Sequence, residues 1–291
     1  MAGKHSKNFF EKKSESLVKL YEKKQKVQSA QISLPFKIIF LLTVLSLCVS
    51  LVFTGSYFLP SLANANLLAD ASTKFEGAPN YAEGLGILES FNKDIKGWLK
   101  IDGTQIDCAV CQGKDDSFYL NHNQLGKKSR YGALFLSATD SFVRNGDKNI
   151  VIYGNNMKDG SMFGSLKKYR NINFYKQNPT VKLYYGNKTE YYIVFAVMLT
   201  DSSANSQKDY NPAKSYFADE NEFKLWADET AKRSLINTNI ELNSGDEILT
   251  LITSAPDFDG ARLAVSAVKR TEKQISDIDL TDASVNADAE Y

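Results

Sequence analysis

Two patterns of apolar residues divide the chain. From Ile38 to Leu59 the sequence IIFLLTVLSLCVSLVFTGSYFL is apolar almost throughout, and no charged side chain occurs between Lys37 and Asp70. At roughly 1.5 Å per residue, a helix of this length reaches about 33 Å, enough to cross a hydrocarbon layer of about 30 Å. From Ile87 the pattern changes to short runs rich in β-branched and aromatic residues, at 105–111, 133–137, 149–153, 181–186, 190–199, 247–253 and 262–269. Many are bounded by Gly, Asn, Asp or Pro, so an all-β sandwich or barrel is expected. One stretch breaks that rhythm. Over 219–234, Phe223, Trp226, Ala227 and Ala231 recur at helical spacing behind an acidic first turn, which predicts an amphipathic helix packed on the barrel. A shorter helix is expected at 163–169, after the Gly160 turn.

Charge orients these elements. The first 37 residues hold nine lysines and three glutamates, whereas residues 71–291 sum to −4. Lysines on the N-terminal side of the apolar run place that side in the cytoplasm and the remainder outside. The expected organisation is a basic cytoplasmic segment at 1–37, a transmembrane helix at 38–59, a membrane-proximal stalk at 60–86, a β-domain at 87–270 and an acidic, disordered tail at 271–291. The A-x-A pattern Ala63-Asn64-Ala65 also admits a cleaved signal peptide, although the apolar run and the basic head are long for one. Phe10, Leu17, Leu20 and Tyr21 among the lysines suit either a helix on an anionic membrane surface or a solvated basic tail.

Cys48 falls in the apolar run, and Cys108 and Cys111 fall in a strand-like context. Residues three apart in a strand face opposite sides, so the two thiols are expected to be small buried side chains and not a redox pair. An acidic outer part argues against nucleic-acid binding. No metal-ligand cluster or cofactor motif is present in the sequence.

Two segments carry the chemistry. One is LTLITSAPDFDGAR, Leu249 to Arg262, a buried strand ending at Ser254 with an arginine eight positions later. The other is YGNNMKDGSMFGSL, Tyr153 to Leu166. With GWLKIDGTQID from Gly97, QGKDD from Gln112, FYLNHN from Phe118 and the long helix before the active-site strand, this ordered set resembles the class B sortases from about Gly97 to Lys269. The resemblance implies an eight-stranded β-barrel tethered to the outer face of a Gram-positive membrane. It also implies a cysteine that attacks a sorting signal, a histidine that protonates the leaving amine, and an arginine that stabilises the oxyanion or holds substrate. By position the cysteine falls on Ser254, the histidine on Asn155 and the arginine on Arg262.

Two of the three implied catalytic residues are thus replaced. A thiol supplies some thiolate at neutral pH, but a serine hydroxyl needs a general base within hydrogen-bond reach. Asn155 cannot carry the proton. His122, the one histidine in the outer part, is expected to be structural, and nothing in the spacing singles out a lysine near Ser254. Ala255-Pro256 and Ser137-Ala138-Thr139-Asp140 also depart from the family pattern. Arg262 either binds a peptide carbonyl or carboxylate or pairs with Asp257 or Asp259.

Three functions follow. The first is an impaired sortase-like protein that still binds sorting-signal or pilin peptides, assists surface-protein or pilus assembly, and has an active sortase as a further partner. The second is an active transpeptidase or hydrolase using Ser254. The third is a structural membrane-surface module with a vestigial groove.

Overall fold

A computed structural model describes residues 3–28, 34–78, 80–144, 146–202 and 210–289. Parts of the expected segments 1–37 and 271–291 lie outside that set. Contacts divide the chain between Ala63 and Asn64 into two units. The first contains helix α1, Gly3–Gln28, and the start of α2, Leu34–Glu76. Phe40, Leu41, Leu45, Val52 and Phe53 of α2 are exposed. Among the described residues, this is the one helix long and apolar enough to cross a membrane. A signal sequence near an N-terminus has the same signature.

The second unit begins inside what the sequence suggested was a stalk. Residues 60–76 continue α2, and helix α3 covers Tyr81–Phe91, its first turn capped by Asn80, which accepts from the Glu83 N–H at 3.0 Å. Ala71 and Phe75 of α2 and Leu85 and Leu88 of α3 are buried, and the Phe75 ring stacks on Trp98 at 4.6 Å. Spacings of three and four residues therefore give this polar segment an apolar edge, and burying that edge orders it. Each fully buried large apolar side chain contributes about 1.5–3 kcal/mol.

The barrel strands are β1 (Ile95–Ile101), β2 (Asp107–Cys111), β3 (Leu134–Leu136), β4 (Asn149–Tyr153), β5 (Thr180–Tyr185), β6 (Lys188–Asp201), β8 (Ile248–Ser254) and β9 (Ala261–Arg270). They close in the order β1, β2, β3, β4, β8, β9, β6, β5. β2 pairs parallel to β3 and β4 parallel to β8, while the other neighbours are antiparallel. Period-two alternation sorts the side chains. Leu249, Leu251, Leu263 and Val265 enter the interior core, whereas Ile248, Ile252, Ala264 and Val268 face outward beneath a helix. That helix, α5, spans Glu220–Lys232 with Asp219 as N-cap, and it seats Phe223, Trp226 and Ala227 on the sheet. A shorter α4, Ile172–Gln177, follows a 3-10 turn at Leu166–Arg170, close to the expected short helix.

The tail expected to be disordered is built into the fold over its described residues. Thr271 and Gln274 form a reciprocal capping box on helix α6, Glu272–Ser276. Strand β10, Ser284–Val285, pairs with β7, Ile236–Asn237, and Ala283 is buried. Cys108 and Cys111 are buried in different clusters on opposite faces of β2. Burial pushes the Cys108 thiol up to about 12.

Candidate functional site

Strand register brings the sequence-derived residues to one end of the barrel. Tyr153 lies opposite Ile252, Ser254 opposite Arg262, and Thr200 opposite Arg262 from the other side. Directly opposed residues share a sheet face, with Cβ atoms about 5 Å apart. Ser254 and Arg262 are therefore side by side on the outer face.

Ser254 is exposed at the end of β8. Its main-chain carbonyl accepts from Asn156 Nδ2 at 2.8 Å. Its hydroxyl has no hydrogen-bond partner among the described residues, so no base is in contact with it. The following N–H, of Ala255, donates to the Ala261 carbonyl at 2.9 Å. That amide is therefore engaged in closing the turn and is unavailable to a developing oxyanion.

Asn155 faces a different set of atoms. Its Nδ2 donates to the carbonyls of Leu120 at 2.7 Å and Tyr131 at 3.1 Å, and its main-chain carbonyl accepts from the Phe163 N–H at 3.0 Å. It staples the 118–131 loop to the end of β4. The fit is close: Gly132 has φ +65°, and a Cβ there would lie 2.8 Å from Asn155 Nδ2. The structure thus brings Ser254 and Arg262 together and gives Asn155 no hydrogen bond to either.

Arg262 donates through Nη1 to its own turn, at 3.0 Å to the Ala261 carbonyl and 3.3 Å to that of Gly260. No carboxylate pairs with it among the described residues. Asp257 is held instead by Arg170, in a two-pronged contact of 3.0 and 3.2 Å. That contact occupies the aspartate and ties the β8–β9 loop to the 3-10 turn. Arg262, Tyr153, Thr200, Asp201 and Ile252 line a cleft of about 80 Å³. Burial, with the Asp116 and Asp140 carboxylates nearby, pushes the Tyr153 phenol up to about 12. At neutral pH it is a hydrogen-bond donor and not a base.

The cleft's wall is positioned from the core. Buried Asn149 donates to the carbonyls of Pro212 at 2.9 Å and Lys214 at 3.1 Å and accepts from Thr250 Oγ1 at 2.9 Å. Trp226 Nε1 donates to the Asn211 carbonyl at 2.9 Å. His122 is stacked on Phe118 at 4.0 Å, with Nδ1 2.8 Å from the Phe118 carbonyl.

Sequence reasoning missed Asn156, Arg170 and Thr253, whose Oγ1 donates to the Gly154 carbonyl at 2.7 Å. Asn156 was visible inside the YGNNM segment. Arg170 lies 87 residues from Asp257 and carried no signal.

Known proteins match this architecture. The chain is 34% identical over 183 residues to sortase B of Listeria monocytogenes, covering 61% of this chain and 70% of that protein. It is 30% identical over 166 residues to sortase B of Staphylococcus aureus, covering 57% of this chain and 65% of that protein. Among solved structures, a cysteine-to-serine mutant form of Clostridium perfringens sortase B is 37% identical, with a TM-score of 0.60 over 65% of this chain and 88% of that one. Bacillus anthracis sortase B in complex with AAEK1 is 28% identical, with a TM-score of 0.66 over 74% of this chain and 100% of that one. No family model matches. The chain belongs to the sortase B family.

Proposed function

We propose that this protein serves surface-protein or pilus assembly as an accessory that binds sorting-signal or pilin peptides beside Arg262 without completing acyl transfer. The observation that carries this reading is the isolation of the Ser254 hydroxyl. Among the described residues no base touches it, and the amide at the histidine position is committed to two loop carbonyls. Removing a positioned acid or base costs roughly 10²–10⁴ in rate. The cleft keeps donors suited to peptide carbonyls in the Arg262 guanidinium and the neutral Tyr153 phenol.

In this reading Ile38 to Leu59 crosses the membrane, residues 1–37 are cytoplasmic and the barrel is extracellular. A sortase B structure complexed with Gly3 supports using triglycine as the trial amine acceptor.

The test incubates the full chain in detergent with sorting-signal peptides and triglycine, followed by intact-protein mass spectrometry. No adduct is expected on the natural protein or on Ser254→Cys alone, and an acyl adduct is expected on Ser254→Cys with Asn155→His. An adduct on the natural protein that disappears in Ser254→Ala overturns the reading in favour of an active serine enzyme. Peptide binding unchanged by Arg262→Ala overturns it in favour of a vestigial groove.

A further inference from the structure

A second cavity on the barrel unit shares no lining residue with the Arg262 cleft. It is an open groove of about 740 Å³ between α5 and residues 240–244, within the range of about 300–1,000 Å³ typical of specific ligand sites. Its floor is apolar, made by Phe223, Ala227, Ile240 and Leu242. Glu220, Asp228 and Glu241 stand around it, and none of the three is in an ion pair among the described residues. Two lysines are also present. Lys224 lines the groove, while Lys148 at one end is held by the Ser244 carbonyl at 2.8 Å and lies 5.7 Å from the centre of the Phe223 ring.

The main chain on the 240–244 side is also incompletely paired. The Ile240 N–H is 3.4 Å from Thr238 Oγ1, and the Glu241 carbonyl accepts from Arg270 at 2.9 Å. The Ile240 carbonyl and both main-chain polar groups of Leu242 have no hydrogen-bond partner among the described residues. Unpaired main-chain groups beside an apolar trough are the features by which proteins take up an extended peptide as an added strand. Carboxylates around the trough select the charge of that peptide.

We infer that this groove binds an extended cationic peptide segment of a partner protein. The segment seats an apolar side chain between Ala227 and Leu242, sets lysine or arginine against Glu220, Asp228 and Glu241, and pairs its backbone with Leu242. The site is independent of the Arg262 cleft, so its failure would leave the peptide-binding reading of that cleft untouched.

The test uses the full chain in a nonionic detergent and the fluorescein-labelled peptide Lys-Val-Lys-Val-Lys-Val, followed by anisotropy, with Glu-Val-Glu-Val-Glu-Val as the opposite probe. Saturable binding of the lysine peptide alone is expected. Asp228→Lys with Glu241→Lys should weaken it at least about tenfold, and Ala231→Trp should block it, since Ala231 is exposed on the groove wall. Glu89→Lys, at an exposed position of α3, and Arg262→Ala should leave it unchanged. Hydrogen exchange at the Leu242 amide should slow when the peptide is bound. Equal binding of both probes, or lysine-peptide binding that survives both groove variants, overturns the proposal.

Discussion

The two ends of the barrel treat polar side chains in opposite ways. At the end where β6 and β4 begin and β9 finishes, the carboxylate of Glu190 is buried and accepts from Tyr185 at 2.8 Å, Tyr192 at 2.5 Å and Lys269 at 2.5 Å. Arg144 lies against the same cluster. It donates to Tyr192 at 3.1 Å and to the carbonyls of Lys148 and Ile248 at 2.9 and 2.7 Å, and its Nε is 3.3 Å from Glu247. Arg144 holds φ at +51°, a conformation costly for a residue with a Cβ, and these contacts keep it there. At the other end, among the described residues, the Ser254 hydroxyl has no hydrogen-bond partner and Arg262 donates only to carbonyls of its own turn. Buried groups at one end are hydrogen-bonded, apart from Arg144 Nε with its ion contact alone, and stabilise the fold, whereas groups left open at the other are available to a ligand.

Breaking the closed end should have the largest effect. Glu190→Ala leaves two buried phenols without their acceptor and takes from Lys269 one of its two carboxylate partners, the other being Glu247 at 2.8 Å, and should cost the barrel unit about 3 kcal/mol. Lys269 is 37% exposed, so water replaces part of what it loses. The check is denaturant unfolding in detergent, followed by tryptophan fluorescence. Arg262→Ala should change stability by less than about 0.5 kcal/mol in the same assay. A comparable loss from both variants would erase the distinction between the two ends.

Acid should separate them next. Burial alone would raise the Glu190 carboxyl, but hydrogen bonds from Lys269, Tyr192 and Tyr185 outweigh it and hold the group below its ordinary value of 4.5. A carboxyl depressed in the folded state contributes stability that is complete above its unfolded value and disappears as pH falls through the folded one. Stability should therefore fall on acidification below about pH 4.5, and Glu190→Gln, which starts lower, should lose less over that interval. Parallel curves for the two proteins would show that the acid transition belongs to other groups.

These contrasts explain what could be read from the chain and what could not. Short runs rich in β-branched and aromatic residues marked every barrel strand except β1, and Asp219 with Phe223, Trp226 and Ala227 marked α5 within two residues of its ends. The failures lie where a few buried positions order an otherwise polar stretch. Ala71 and Phe75 do so before the barrel, and Ala283 with the two-residue pairing of β10 to β7 does so after it. The resemblance to the class B sortases led by position to Ser254, Asn155 and Arg262, but the contacts of Asn155 were invisible. Its partners are the carbonyls of Leu120 and Tyr131, which side-chain identity does not encode.

That staple gives a third, smaller effect. Asn155→Ala removes two hydrogen bonds at a half-buried position and should cost about 1–2 kcal/mol, with faster hydrogen exchange confined to 118–131. Asn155→His should recover only part of the loss, because a neutral imidazole has one N–H where the amide uses its nitrogen twice. Full recovery would mean that one of the two contacts contributes nothing.

The smallest effect should come from the ion pair that borders the open end. Arg170 is 40% exposed and Asp257 23%, so their two-pronged contact is screened by water, and Arg170→Ala should cost less than about 1 kcal/mol. Its consequence is local. Gly260 stays tied through its carbonyl to the Ser202 N–H at 3.1 Å and hydroxyl at 2.8 Å, and Ala255 stays tied to Ala261. The segment between them, Pro256 to Asp259, loses its side-chain anchor to the 3-10 turn. Released from Arg170, Asp257 becomes free to turn toward Arg262, one of the two alternatives that the sequence left open for that arginine. Arg170→Ala should therefore weaken peptide binding at the cleft while barely moving the melting temperature, and adding Asp257→Ala should restore it. Binding that stays weak in the double variant would mean that loop order matters there, and not competition for the Arg262 guanidinium.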